Sequence, residues 1–177
     1  MKPATVGFCL LMGAFLMSNP ASAAERQHFD LVVALDISKS LSPAQLEQAA
    51  SKLGEILEGL PPKIEFGIVT FADEARWLRP VAPPGSGSRA NAALVGLERE
   101  GSFTVLYDAL FQSAADLAGG VVLLVGDGVD EQSAVLHEDV VRRFEANSVR
   151  VVSVATGRAV DERALRRLAM LTGGAYL

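Results

Sequence analysis

Two stretches of this chain are apolar almost without interruption, and each runs into an aspartate. Phe29-Asp30-Leu31-Val32-Val33-Ala34-Leu35 ends at Asp36, and Val121-Val122-Leu123-Leu124-Val125 is followed, one glycine later, by Asp127. A strand with one wet face alternates apolar and polar residues. A strand that is apolar on both faces must be covered on both. Ile64 to Phe71 (IEFGIVTF) and Val149 to Ala155 (VRVVSVA) read as further strands, and Ala175-Tyr176-Leu177 as the start of one more.

Helical patterns separate these runs. Ser42-Pro43-Ala44-Gln45 has the layout of a capping box with proline in the first turn. Leu46, Ala49, Ala50, Leu53, Ile56, Leu57 and Leu60 then recur at helical spacing until Pro61-Pro62. Further helices are expected over about 91–97, 106–117 and 135–146, with Gly119-Gly120 ending the second of them. A last helix is capped by Asp161 and runs to Leu171, before Gly173-Gly174. Ala75-Arg76-Trp77-Leu78 reads as an antiparallel edge strand closed by Pro80, and Pro83-Pro84-Gly85-Ser86-Gly87-Ser88 as a loop. Strands alternating with helices specify an α/β fold. The expected sheet is doubly wound and mostly parallel, with one antiparallel edge strand and helices on both faces.

The first 23 residues stand apart. Lys2, an apolar run from Val6 to Met17, the break at Ser18-Asn19-Pro20 and Ala21-Ser22-Ala23 have the layout of a cleavable signal peptide. The run is short for a bilayer span, which takes about 20 residues; an uncleaved anchor is the other reading of it. The domain is then 24–177. Its only cysteine, Cys9, leaves with the signal, so the exported domain holds neither a disulfide nor a thiolate site. With 16 Lys+Arg against 21 Asp+Glu the chain carries −5. That balance argues against nucleic acid and anionic membranes as partners.

In a doubly wound sheet, ligands sit at the carboxyl ends of the strands. Asp36-Ile37-Ser38-Lys39-Ser40 follows the first strand, Asp127-Gly128 follows the strand from 121, and Thr104 precedes the helix that opens Leu106-Tyr107-Asp108. In an extended turn the alternation places Asp36, Ser38 and Ser40 on one side and Ile37 and Lys39 on the other. Carboxylates and hydroxyls are hard oxygen donors, suited to Mg²⁺, Mn²⁺ or Ca²⁺ rather than zinc.

The set Asp36-x-Ser38-x-Ser40, Thr104, Asp127-Gly128, with Phe66 to Ala72 and Leu171-Thr172-Gly173-Gly174, resembles the von Willebrand factor A domain and its metal-ion-dependent adhesion site, in the form found in exported bacterial relatives. The resemblance implies that Ser38 and Ser40 bind a divalent cation, most naturally Mg²⁺. Thr104 would bind directly or through water, and Asp36 and Asp127 would act largely through water. It implies a protein partner that presents an acidic side chain to the ion, in the periplasm or outside the cell, and no catalysis. Lys39 departs from the usual glycine and Leu41 from a common methionine. The sequence stops at Leu177, so the family's helix after the last strand is expected to be either absent, which would remove any relay through it, or cut off by truncation.

The same residues bear on other readings. Asp108 reads as a solvated or dipole-favoured acid near a helix N-terminus, Asp130-Glu131 as a solvated acidic loop, His28 and His137 as surface residues, Trp77 as packing, and Arg142-Arg143 and Arg166-Arg167 as solvated faces. A haloacid-dehalogenase-type phosphatase needs a second aspartate where Ser38 stands. A receiver domain needs an acidic pair after the first strand. A dinucleotide fold needs G-x-G-x-x-G there, and no G-x-S-x-G elbow is present. A metal-dependent phosphohydrolase on a similar sheet, and a structural subunit of an envelope complex with a vestigial metal site, remain as alternatives.

Overall fold

The computed structural model describes residues 30–61, 63–82, 90–115 and 117–177. The expected signal peptide over 1–23, His28 and the Pro83–Ser88 loop lie outside the described residues. Six strands form one sheet: β1 (Asp30–Asp36), β2 (Glu65–Phe71), β3 (Ala75–Ala82), β4 (Gly120–Gly126), β5 (Val149–Ala155) and β6 (Ala175–Tyr176). Their order is β3-β2-β1-β4-β5-β6, and only β3 runs antiparallel to its neighbour. The helices are α1 (Pro43–Glu58), α2 (Ala90–Leu94), α3 (Leu106–Ser113), α4 (His137–Ala146) and α5 (Glu162–Leu171). The expected α/β class, with one antiparallel edge strand, is the observed one.

β1 lies in the middle because its residues are apolar in both directions. Leu31, Val33 and Leu35 join Ile68, Leu123 and Val125 in a core with Leu46, Leu53 and Leu57 of α1. Val32 and Ala34 join Val69, Val122 and Leu124 in a second core beneath α3, α4 and α5, with Leu110, Phe144 and Leu165. β4 begins so close to β1 that Gly120, at φ +110°, admits no side chain: a Cβ there would sit 2.2 Å from the Asp30 carbonyl oxygen. α1 starts as the sequence indicates. Ser42 Oγ accepts from the Gln45 N–H at 3.2 Å, and Gln45 Oε1 accepts from the Ser42 N–H at 2.8 Å.

Four boundaries differ from the sequence reading. β3 continues through Pro80 to Ala82. Pro80 is exposed and falls in the register break between the Ile68–Arg79 and Phe66–Ala82 pairs, where no ladder N–H is required of it. α2 is the single turn Ala90–Leu94 rather than 91–97. α3 ends at Ser113, well before Gly119-Gly120, because the Ala114 carbonyl is taken by Asn147 Nδ2 at 2.7 Å, from the turn before β5. α4 starts at His137 rather than 135, because Leu136 is extended (φ −82°, ψ 151°) and serves as its N-cap.

Candidate metal centre

The chain order places a switch point between β1 and β4. From β1 the sheet grows outward to β2 on one side and to β4 on the other, so the loops leaving the two strands part and open a crevice between them. Parallel pairing with Leu35 opposite Val125 brings Asp36 beside Gly126 and Asp127. Gly126 is part of this fit: a Cβ there would lie 3.0 Å from Asp36 Cβ and 3.2 Å from its Oδ2.

The five residues singled out in the sequence all lie on this edge. Asp36, Ser38, Thr104 and Asp127 are buried, and Ser40 is exposed. Asp36 Oδ1 accepts from the Ser38 N–H at 2.8 Å, which curls the chain so that the Ser38 and Ser40 hydroxyls lie 2.9 Å apart. Lys39, between them, is exposed like Ser40, while Ile37 is buried like Ser38, so burial does not follow the alternation expected of an extended turn. Asp127 Oδ1 accepts from the Val129 N–H at 3.0 Å, and its main-chain oxygen accepts from the Asp161 N–H at 2.7 Å. Thr104 is tied into the same loop system. Its carbonyl accepts from the N–H groups of Glu131 (2.9 Å) and Gln132 (3.2 Å), and the next residue, Val105, donates to the Ala72 carbonyl. The Glu100 N–H donates to the Ile37 carbonyl at 2.8 Å, drawing the stretch before Thr104 over the end of β1.

The electrostatics are those of an unfinished pair. Burial is the main force on Asp36 and pushes its pKa up from 3.8 to about 6. The nearby Asp127 charge adds to the rise, and hydrogen bonds from Ser38 oppose it. Among the described residues neither aspartate joins an ion pair. Two buried carboxylates side by side are costly unless a positive charge joins them. The oxygen-only donor set suits a hard divalent cation. The described residues hold no cluster of three or more His, Cys, Asp or Glu arranged for a metal. A cation would therefore rest on the mixed set of hydroxyls and carboxylates at this edge, and those residues fit one.

Several positioning residues were not legible from the sequence. Gly157, at φ +124° beyond β5, backs the site: a Cβ there would lie 3.1 Å from Asp127 Cβ and 3.5 Å from Leu41 Cδ2. Asp73, between β2 and β3, accepts from the N–H groups of both Ser102 and Phe103 at 2.8 Å. Those two bonds hold its carboxyl below the usual range. Asp108 lies in the first turn of α3, where the helix dipole favours an acid, and it also accepts from the N–H groups of Ala134 and Val135. Asp130 accepts from the Tyr107 N–H and from Ser133 Oγ. His137 is not a surface residue. Its side chain is 16% exposed, its ring meets Tyr107 edge-on at 5.6 Å, and burial first, then the Arg167 charge, keep its pKa low. Arg143 and Arg166 are not plain solvated charges either. They stack at 3.8 Å on Phe111 and at 4.1 Å on Tyr176.

Residues 30–176 match the family model described as the von Willebrand factor type A domain. The chain belongs to that family. Mouse matrilin-1 is 27% identical over 156 residues, a match that takes in 79% of this chain and 30% of matrilin-1. This chain thus spans less than a third of that relative's length. Two solved structures share the fold. Proximal thread matrix protein 1 from the mussel byssus, with a zinc-occupied MIDAS motif, superimposes with a TM-score of 0.69 at 19% identity, over 84% of this chain and 41% of that one. The manganese-loaded TRAP protein of Plasmodium vivax gives 0.66 at 16% identity, over 81% and 63%. At such identities the likeness carries the fold alone.

Proposed function

We propose that this von Willebrand factor A domain binds a protein partner through a divalent cation held by Ser38, Ser40 and Thr104, with Asp36 and Asp127 placed behind them. The observation that carries this reading is the pair of buried, unpaired carboxylates, Asp36 and Asp127, beside a pair of hydroxyls 2.9 Å apart. The metals named in the two solved relatives support a divalent ion at this edge, and Mg²⁺ is the ion we propose here.

Each residue of the chain has a physical task in this scheme. Asp36 fixes the Ser38 backbone, which sets the direction of the first hydroxyl. Asp127 supplies negative charge from the facing strand and is held by Val129 and Gly157. Thr104 arrives on a loop hydrogen-bonded to both other loops, through Glu131 and Gln132 on one side and Ile37 on the other. A bound cation supplies an electrophilic point that neutral hydroxyls leave largely uncompensated, and a partner's carboxylate completes it. No step of this scheme makes or breaks a bond, and we propose a binding module, not an enzyme. Export follows from the signal-peptide reading of residues 1–23. No helix of the described residues is long and apolar enough to cross a membrane.

A thermal melt with 5 mM Mg²⁺ and with EDTA tests the proposal. A cation bound only by the folded chain must raise the midpoint by mass action. Ser38→Ala/Ser40→Ala is expected to fold, since the core does not use those hydroxyls, and to lose that rise. A double variant that keeps the full rise would mean the ion sits elsewhere. An equal midpoint with and without metal in the native chain would favour the vestigial-site reading. Metal-dependent cleavage of a phosphomonoester, lost in Asp36→Asn, would favour the phosphohydrolase.

A further inference from the structure

We propose that Arg99 is a positioning residue of the cation site. With the Glu100 N–H it grips the carbonyls on either side of Ser38-Lys39-Ser40 and sets the Ser40 hydroxyl for the ion. This rests on the cation reading above and names what shapes that site.

Asp36 accounts for only the first half of the serine loop. Its carboxylate takes the Ser38 N–H, and the Ile37 N–H donates to the Phe71 carbonyl at 3.0 Å. Ser40 comes later and is exposed, and its hydroxyl meets that of Ser38. The chain after Ser40 is held from elsewhere. The Leu41 N–H closes the turn onto the Ser38 carbonyl at 3.3 Å. The Leu41 carbonyl in turn accepts from Arg99 Nη1 at 2.8 Å, 58 positions along the chain. The next residue, Glu100, donates its N–H to the Ile37 carbonyl, also at 2.8 Å. Two consecutive residues thus hold both ends of the loop that carries the two serines.

The arm that reaches across is itself firmly placed. Asp73 Oδ1 accepts from the N–H groups of Ser102 and Phe103, and the Val105 N–H donates to the Ala72 carbonyl. Gly101, at φ +64°, lies so close to Asp73 that a Cβ would sit 2.6 Å from its Oδ1. The same arm ends in Thr104, so the segment that brings one oxygen ligand also positions another.

Charge alone gives Arg99 no reason to be there. Among the described residues it joins no ion pair. Its bond to Leu41 keeps Nη1 within about 11 Å of the Ser40 hydroxyl by chain geometry. A fixed cation at that range repels a divalent ion. What it adds is a charge-assisted hydrogen bond to a carbonyl, an outer contact of the kind that orients a metal's ligands. Repulsion and positioning therefore give opposite signs when the side chain is cut back.

Mn²⁺ titration by electron paramagnetic resonance, with amide hydrogen exchange by NMR in EDTA, tests the proposal on the full chain. Arg99→Met keeps the stem and loses both the charge and the bond. It is expected to bind Mn²⁺ about tenfold more weakly, the lower end of what losing an outer partner costs. Its Leu41 N–H is expected to exchange faster than in native protein. Arg99→Lys, which still donates a hydrogen bond, should recover part of both. Arg99→Gln, uncharged and shorter, should follow Arg99→Met, and carries the test if that variant does not fold. Native or tighter affinity in folded Arg99→Met or Arg99→Gln would overturn the proposal and leave the cation site standing. So would unchanged Leu41 exchange, or a lysine variant no better than the methionine one. A folded native chain that takes up no Mn²⁺ would overturn the cation reading and the proposal with it.

Discussion

Asp36→Asn gives the clearest view of what the buried carboxylate costs. Folding carries Asp36 from water to a site only 1% exposed, next to a second carboxylate, and its pKa rises from 3.8 to about 6. A raised carboxyl pKa favours the protonated form in the fold. The native state therefore holds its proton longer than the unfolded chain, and stability drains away as pH climbs from about 4 to about 6. Each pKa unit is worth about 1.4 kcal/mol, so the metal-free protein at pH 7 forgoes roughly 3 kcal/mol. That is a large part of the 5–15 kcal/mol that typically holds a domain. Asparagine keeps an oxygen for the Ser38 N–H and carries no charge.

In EDTA, urea unfolding at pH 7.5 should therefore find Asp36→Asn more stable than native protein by about 2–3 kcal/mol, and the gap should close to within about 0.6 kcal/mol by pH 4. The gap between the two chains is the quantity to read, because His137 pulls the other way. Its depressed pKa penalises the fold as pH falls, equally in both chains. With saturating Mg²⁺ the order should invert. Native protein gains about 4.1 kcal/mol at a thousand times Kd, more than the gap in EDTA, and the variant gains little. An Asp36→Asn chain less stable than native in EDTA at every pH would refute the reasoning, since the carboxylate would then be stabilising without a cation.

Two further substitutions probe how the fold positions the site. Gly120→Ala should cost more than about 3 kcal/mol in urea unfolding, because its Cβ would collide with the Asp30 carbonyl and the residue sits at φ +110°. A loss under 1 kcal/mol would show that β1 and β4 part easily there. Ser42→Ala should cost about 1 kcal/mol by removing the cap of α1, with no change in the Mg²⁺ response. A lost response would show that α1 orients the serine loop.

Much of this was legible in the residues. Leu31–Leu35 and Val121–Val125 are apolar on both faces, and that alone demands a covered parallel sheet. Asp36-x-Ser38-x-Ser40 and Asp127 stand at the ends of those strands, so strand pairing puts them together. What escaped was set by distant contacts. Pro80 looked like a stop, yet β3 passes it, because an edge strand with a register break has no use for that N–H. α3 looked longer, but Asn147, 33 positions on, takes the carbonyl that ends it. Asp73 carried no signal at all; its hold on Ser102 and Phe103 joins residues about 30 apart, and no local pattern encodes it. Gly157 gave no motif either, because its reason is Asp127 on a neighbouring strand's loop.

Direct titration of the metal tests the central claim most closely. Mn²⁺ added to metal-free protein at pH 7.5 and followed by electron paramagnetic resonance should show one ion taken up per chain, displaced by Mg²⁺, and none in Ser38→Ala/Ser40→Ala. Uptake by the double variant with unchanged affinity, or no uptake by a folded native chain, would contradict the account.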